Sequence, residues 1–335
     1  MYKATWHKRD LQFTFDARTS RGAIKTHTCY IIHLFDTENP SVVGKGEASP
    51  LKGLSIDDVP NFEHALTQYT SNLQNWNDQN LASYPSIKFG LETAIADLNR
   101  GGVGITHHSS FAEGKTKIKI NGLIWMNSIQ HMKEQVKAKV KAGFDTIKIK
   151  VGALDFEEEL QLLKWIRAEF GFDYTLRLDA NGAFSPQSAL EKLHRLSEYQ
   201  IHSIEQPIKQ GQPDEMAQLC EKTPIPIALD EELIGIHHYE DKIKLLTQIK
   251  PQYIILKPTL IGGFADSKSW IKIAEQLGIG FWFTSALESN IGLNAICQMA
   301  AHYNTNFAQG LGTGGLYSNN FESRLRVEKG YIFCV

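Results

Sequence analysis

A chain of 335 residues that is 42% apolar and 10% aromatic can bury a large core, which excludes disorder and leaves room for two average domains or one barrel with a smaller companion. Thirty-five basic and 37 acidic residues give a formal charge of -2, and no basic stripe is interleaved with aromatics, which argues against nucleic acid as the main partner. No apolar run approaches the ~20 residues of a membrane span, the N-terminal stretch lacks the pattern of a signal peptide, and Cys29, Cys220, Cys297 and Cys334 lack metal-ligand spacing, so a reduced, cytoplasmic protein without a membrane partner is expected.

Up to about residue 60 the pattern is strand-like. Leu11 to Phe15 alternates, and Cys29 to Phe35 is a β-rich run between turn residues at 18–22 and 38–41. Helical spacing follows at Ile87, Leu91, Ala94, Ile95 and Leu98, and Gly101-Gly102 ends it. Residues 1–114 are therefore expected to form an α+β unit.

From Lys115 short apolar strands alternate with amphipathic helices. The strands are expected at Ile118–Leu123, Thr146–Val151, Tyr174–Asp179, His202–Glu205, Ile225–Asp230, Tyr253–Lys257 and Gly280–Ser285. Helices are expected near 128–142, 156–169, 187–198, 214–222, 238–248, 265–277 and 291–302. Seven successive β-α units predict a TIM-type barrel in an α/β catalytic domain over 115–315. No glycine-rich dinucleotide fingerprint follows the first strand, which counts against a Rossmann sheet. The tail, 316–335, contains the strand-like Gly330–Val335 and is expected to return to the N-terminal unit and complete it.

Lys150, Asp179, Glu205, Asp230 and Lys257 each stand at or next to the C-terminal end of a predicted strand, 25 to 29 residues apart. Barrel active sites lie at that face, so the spacing places all five around one mouth. Strand parity agrees. Ile147, Ile149 and Val151 take the helix-covered side, leaving Lys148 and Lys150 to point inward. The same alternation sets Leu176 and Leu178 against Arg177 and Asp179, Ile204 against Glu205, Leu229 against Asp230, and Leu256 against Lys257. Burying three carboxylates together costs several kcal/mol or more per ion unless something neutralises them. Salt bridges to the lysines or a bound cation would do so. With only hard oxygen donors, Asp179, Glu205 and Asp230 favour Mg2+, with Mn2+ as a substitute, over Zn2+. Lysines desolvated beside such a cation are expected to have lowered pKa values, which suits a general base. Cation and lysine together fit removal of a proton α to a carboxylate, with the metal stabilising an enediolate. A metal-free barrel with a Schiff-base lysine and a non-catalytic barrel of structural ion pairs remain as rivals.

At Lys148-Ile149-Lys150, Asp179-Ala180-Asn181, Glu205-Gln206-Pro207, Asp230-Glu231 and Lys257-Pro258 with Gly262-Gly263, the chain resembles the enolase superfamily, in its muconate-lactonising-enzyme-like branch. The resemblance covers essentially the whole chain. It implies an α+β capping domain over a modified (β/α)7β barrel, Mg2+ held by Asp179, Glu205 and Asp230, Lys150 as base and Lys257 opposite it across the substrate. Within that branch the chain most resembles the o-succinylbenzoate synthases. The motifs are Thr19-Ser20-Arg21-Gly22, Gly46-Glu47 with Ser49-Pro50-Leu51, Asn121 to Met126, Ser285 to Ser289, and Gly310 to Gly314. This implies dehydration of a small carboxylate substrate in menaquinone biosynthesis, with syn elimination by Lys150. N-acylamino acid racemases and dipeptide epimerases share the barrel residues and stand as the alternative.

Many relatives have Asp-Glu-Ser where this chain has Asp230-Glu231-Glu232; parity keeps Asp230 as the ligand, with Glu231 as its neighbour or an alternative ligand. Lys148 and Asn181 are expected beside the metal-binding carboxylates, and Arg177 is expected to neutralise Asp179. Ser20 and Arg21 form either a lid that meets a substrate carboxylate or a glycine-terminated turn. Ser285 and Ser289 either hydrogen-bond the substrate or cap the helix beginning near Ile291. Trp125-Met126 is expected to pack, and His107-His108 and His237-His238 to lie on solvated segments without chemistry. Oligomeric state is not legible in the sequence.

Overall fold

The computed structural model describes residues 1–19, 22–73, 81–303 and 305–335. Three strands, β1 (Tyr2–Thr19), β2 (Gly22–Asp36) and β3 (Asn39–Ala48), form an antiparallel sheet in that order, followed by helices α1 (Phe62–Ser71) and α2 (Pro85–Leu98). The central strand is covered on both sides, which explains the unbroken apolar run from Cys29. Tyr30, Ile32 and Leu34 pack under α1 and α2, whereas Cys29 and Ile31 join Leu11 and Tyr317 on the opposite face. Strand β3 meets α2 backbone to backbone. A Cβ at Gly46 would lie 1.8 Å from the Gly90 carbonyl oxygen, so only glycine permits this approach.

The barrel then runs in chain order. It comprises β4 (Ile118–Lys119), β5 (Gly122–Ile124), α3 (Ile129–Lys141), β6 (Thr146–Lys150), α4 (Phe156–Phe170), β7 (Thr175–Asp179), α5 (Pro186–Ser197), β8 (Ile201–Glu205) and α6 (Pro213–Lys222). It continues with β9 (Ile227–Leu229), α7 (Tyr239–Ile249), β10 (Tyr253–Leu256), α8 (Pro258–Ile261), α9 (Gly263–Leu277), β11 (Gly280–Phe283) and α10 (Asn290–Tyr303), and ends in the hairpin β12 (Leu325–Glu328) and β13 (Tyr331–Cys334). Strands β5 to β11 are parallel neighbours in sequence order. Residues 308–311 supply the eighth strand: Gln309 bridges Ile120, Gly310 bridges Thr284, and both bridges are parallel. The barrel is therefore closed, as a (β/α)7β arrangement requires. Its outward residues, among them Ile149, Leu178, Ile204, Leu229 and Leu256, are fully buried beneath the helices.

Two expectations are corrected. The segment read as one strand, Ile118–Leu123, divides at Ile120 and Asn121, whose amides bond to Gly330 and Gln309 respectively. One half, β4, pairs with β13, and the other opens the barrel. The tail divides likewise. Residues 316–318 bond to β1 through Thr14 and Gln12, but β12 pairs with β13 and β13 with β4, apart from the N-terminal sheet. No helix among the described residues is long and apolar enough to cross a membrane.

Candidate active site

Register builds the site. Lys150 pairs with Asp179, and Asp179 with Glu205, as the last residues of β6, β7 and β8. Neighbours in a parallel ladder point the same way, so all three project into the barrel mouth. Asp230 and Lys257 directly follow β9 and β10 and complete the ring. Left-handed backbone at Asn181 and Gln206 turns the chain sharply just beyond Asp179 and Glu205. The Gln206 side-chain oxygen accepts from the amides of Asp230 and Glu232, which fixes the turn that presents Asp230.

The acids and lysines interlock. The Lys148 ammonium lies 2.8 Å from Glu205 Oε2 and 3.1 Å from Asp179 Oδ2, and Lys150 lies 2.8 Å from Asp179 Oδ2. Lys150 also donates to Asn181 Oδ1 at 2.7 Å, while Lys257 is bonded to Asp230 and stands 3.5 Å from Glu205 Oε1. The three carboxylates are 1–2% exposed. Burial opposes charge on Asp179, but Lys150, Lys148 and Lys257 outweigh it and hold its carboxyl well below the ordinary range. Glu205 goes the other way, pushed up to about 7 by burial and the neighbouring Asp179. Burial likewise disfavours charge on Lys257, yet Asp230 and Glu205 raise it well above an ordinary lysine. With carboxylates as its direct neighbours Lys257 is raised; the lowering expected for both lysines belongs to a site that holds a divalent cation.

Among the described residues no three acid, histidine or cysteine side chains stand as a ready-made metal cage. The lysine nitrogens bridge the acids instead, Lys148 between Asp179 and Glu205, and Lys257 between Glu205 and Asp230. The donors are nonetheless three hard oxygen groups at the ends of adjacent strands. That donor set fits a small divalent cation.

The other candidates separate. Asn181 Nδ2 donates to Glu231 Oε1 at 3.0 Å, so both join the cluster from the side. Glu232 stays outside it, accepting from Gln206 and the Gly211 amide, which accounts for an acid at the position where relatives carry serine. Arg177 does not neutralise Asp179. Its guanidinium lies 4.0 Å from the Trp282 ring centroid and donates to the Ala308 carbonyl at the barrel floor. A cavity of about 1190 Å³ lies between sheet and barrel, with Lys148, Lys150, Asp179, Asn181, Lys257 and Ser285 in its wall. Ser289 is not in that wall; it is fully buried and bonded to Glu47. Ser20 and Arg21 lie outside the described residues. Trp125 packs against Phe13 and Phe15 at the domain boundary, in keeping with the packing role read for it. His107 is not solvated: it packs edge-on to Phe264, and burial lowers it to about 4.

Two further acids are not marked by strand-end spacing. Glu47 and Glu288 are fully buried between the N-terminal sheet and the barrel. For Glu47 the available signal is its alternation with Gly46 and Ala48, which puts a charge on the face opposite α2.

The Enolase C-terminal domain-like family model matches residues 131–334, and the MenC, N-terminal domain model matches residues 12–98. An o-succinylbenzoate synthase of Desulfotalea psychrophila is 41% identical over 98% of this chain and 98% of its own. The crystal structure of MenC from Desulfotalea psychrophila superposes with a TM-score of 0.88 at 38% identity, covering 99% of both chains. Muconate lactonizing enzyme from Pseudomonas putida, at 20% identity, has a TM-score of 0.81 over 99% of this chain and 93% of its own, a likeness of fold. The chain belongs to the enolase superfamily and, within it, to the o-succinylbenzoate synthase family.

Proposed function

We propose that this protein is an o-succinylbenzoate synthase, dehydrating 2-succinyl-6-hydroxy-2,4-cyclohexadiene-1-carboxylate to o-succinylbenzoate in menaquinone biosynthesis. The observation that carries this reading is the pair Lys150 and Lys257 in the wall of one cavity with Asp179, in a chain similar over nearly its full length to such a synthase. Residues 1–114 act as the cap and 115–315 as the catalytic barrel, working in the cytoplasm.

Asp179, Glu205 and Asp230 would hold Mg2+, with Mn2+ as a substitute, once the bridging tips of Lys148 and Lys257 draw aside. When bound, the cation supplies positive charge to the substrate carboxylate as an enediolate develops. Lys150, as the neutral amine, takes the α-proton and becomes an ammonium. It then gives a proton to the departing hydroxyl on the same face, so the C–H and C–O bonds break, water leaves and the ring becomes aromatic. Asn181 Oδ1 and Asp179 fix the Lys150 nitrogen for both transfers. Lys257 contributes positive field from the opposite wall, and Ser285, its proton given to Glu288, forms part of the wall beside the substrate.

A lysine on each wall is also what two-base proton exchange needs, and a hydrophobic dipeptide epimerase of Enterococcus faecalis is 33% identical over 51% of this chain. The test is to mix the protein with the cyclohexadiene substrate and follow its ultraviolet absorbance with Mg2+ and with EDTA. Fast conversion that EDTA abolishes is expected. No turnover by a folded, metal-loaded protein, with α-proton exchange on a dipeptide or N-acylamino acid, would replace the dehydratase by the epimerase or racemase.

A further inference from the structure

Glu47 lies on β3, fully buried, on the face turned toward the barrel, and the hydrogen bonds that hold its carboxylate come from the barrel side. The Ser289 and Gly292 amides donate to it at 2.8 Å each, and the Ser289 hydroxyl donates as well. These donors belong to the N-terminal turn of α10, so the cap sheet holds that turn by a carboxylate. The adjacent Glu288, also fully buried, reaches the other way. It accepts from the Ala286 amide at 2.8 Å, from Ser285 Oγ at 2.6 Å and from Thr259 Oγ1 at 2.5 Å. Ser285 stands in the cavity wall with Thr313, whose hydroxyl donates to it at 2.9 Å. Thr259 follows Lys257 by two residues. Next to Glu288, Leu287 sits in left-handed backbone (φ 73°), a conformation a leucine holds only when its surroundings enforce it. The Tyr317 hydroxyl pins its carbonyl at 2.6 Å.

We propose that Glu47 and Glu288 are positioning residues. Glu47 fixes the turn 285–289 to the cap, and Glu288 passes that placement to Ser285 and to the flank of Lys257, so the cavity wall is in register only while the cap is seated. Neither acid lines the cavity itself. The inference rests on the dehydratase reading for its kinetic arm alone.

The experiment compares wild type, Glu47→Gln, Ser289→Ala and the double variant, by steady-state kinetics with Mg2+ and the cyclohexadiene substrate, and by amide hydrogen exchange without substrate. The carboxamide introduced by Glu47→Gln sets an N–H against donors, and Ser289→Ala removes the hydroxyl donor together with the bond that its oxygen accepts from the Ile291 amide, with little change in volume. Each single variant is expected to raise KM about 10- to 100-fold with kcat within about threefold, the scale of a lost hydrogen bond to a charged group. Exchange should quicken at residues 285–292 and stay unchanged in β1, β2 and β6. The double variant should cost no more than the worse single, as expected for one coupled unit. Wild-type KM and exchange in folded variants, or fully additive effects, would overturn the proposal. If Glu47→Gln does not fold, Ser289→Ala decides alone. If wild type does not dehydrate the substrate, the functional reading fails while the exchange comparison still decides the positioning role.

Discussion

Lys150 differs from the other two site lysines in its partners: it is tied to one carboxylate and one amide oxygen, whereas Lys148 and Lys257 each contact two carboxylates. Removing it therefore strips little of the charge balance that holds Glu205 and Asp230 in place. Lys150→Ala is expected to lower kcat about 10³-fold or more, in the range of lost general acid–base catalysis. Mg2+ binding by titration calorimetry should persist, and retained turnover would exclude Lys150 as the base. At this scale much of the site is legible in the sequence. Parity at strand ends depends only on which face the helices cover, so Lys148, Lys150, Asp179, Glu205, Asp230 and Lys257 can be read without knowing any distant contact. Ser289 cannot, because its partner Glu47 lies 242 positions away on the other domain. Arg177 is assigned the right face but the wrong neighbour: parity tells inward from outward, and the stack on Trp282 depends on depth within the barrel.

The elements follow the same logic of local signal and remote partner. Each of the seven main barrel helices lies within two residues of its expected bounds, since its period is set by its own sequence. Residues 118–123 read as one strand because the period is the same whether the partner is β13 or β6, and nothing local marks the exchange at Ile120. The closing strand carries no period at all, as Gly310 and Gly312 leave it without side chains to alternate. Glycine has a different meaning in β3. A methyl group at Gly46 would meet the Gly90 backbone, which no rotamer change relieves. Gly46→Ala should destabilise the protein by about 3 kcal/mol, the upper end of ordinary overpacking, read from the shift in urea midpoint. An unchanged midpoint would mean that α2 can move away from the sheet without cost.

For the molecule as a whole, the junction of cap and barrel carries a pH dependence that can be signed. Burial, against the bonds from Ser289 and Gly292, pushes Glu47 up to about 7 from an ordinary 4.5. The folded protein thus holds this proton more tightly than the unfolded chain between those values, and stability from this group falls as pH rises through the window. His27, lowered to about 4 by burial, works in the opposite direction below pH 6.5, but it does so equally in a variant that keeps it. Wild type should lose about 2 kcal/mol more between about pH 5 and pH 7.5 than Glu47→Gln does, compared by urea denaturation at each pH. Equal slopes would show that Glu47 is charged in the folded protein at both values.

Residues 308–334 give the barrel its eighth strand, give β4 its partner and add residues 316–318 to the edge of β1. A ribosome delivers these contacts late, after the cap sheet and most barrel strands have left the exit tunnel. Until residues 308–334 emerge, the nascent chain exposes unpaired strand edges at β1, β4 and β5, which are templates for pairing with other chains. The pace of translation through residues 308–334, and the presence of a chaperone to shield those edges until these residues arrive, then bear on yield more directly than the strength of any finished contact.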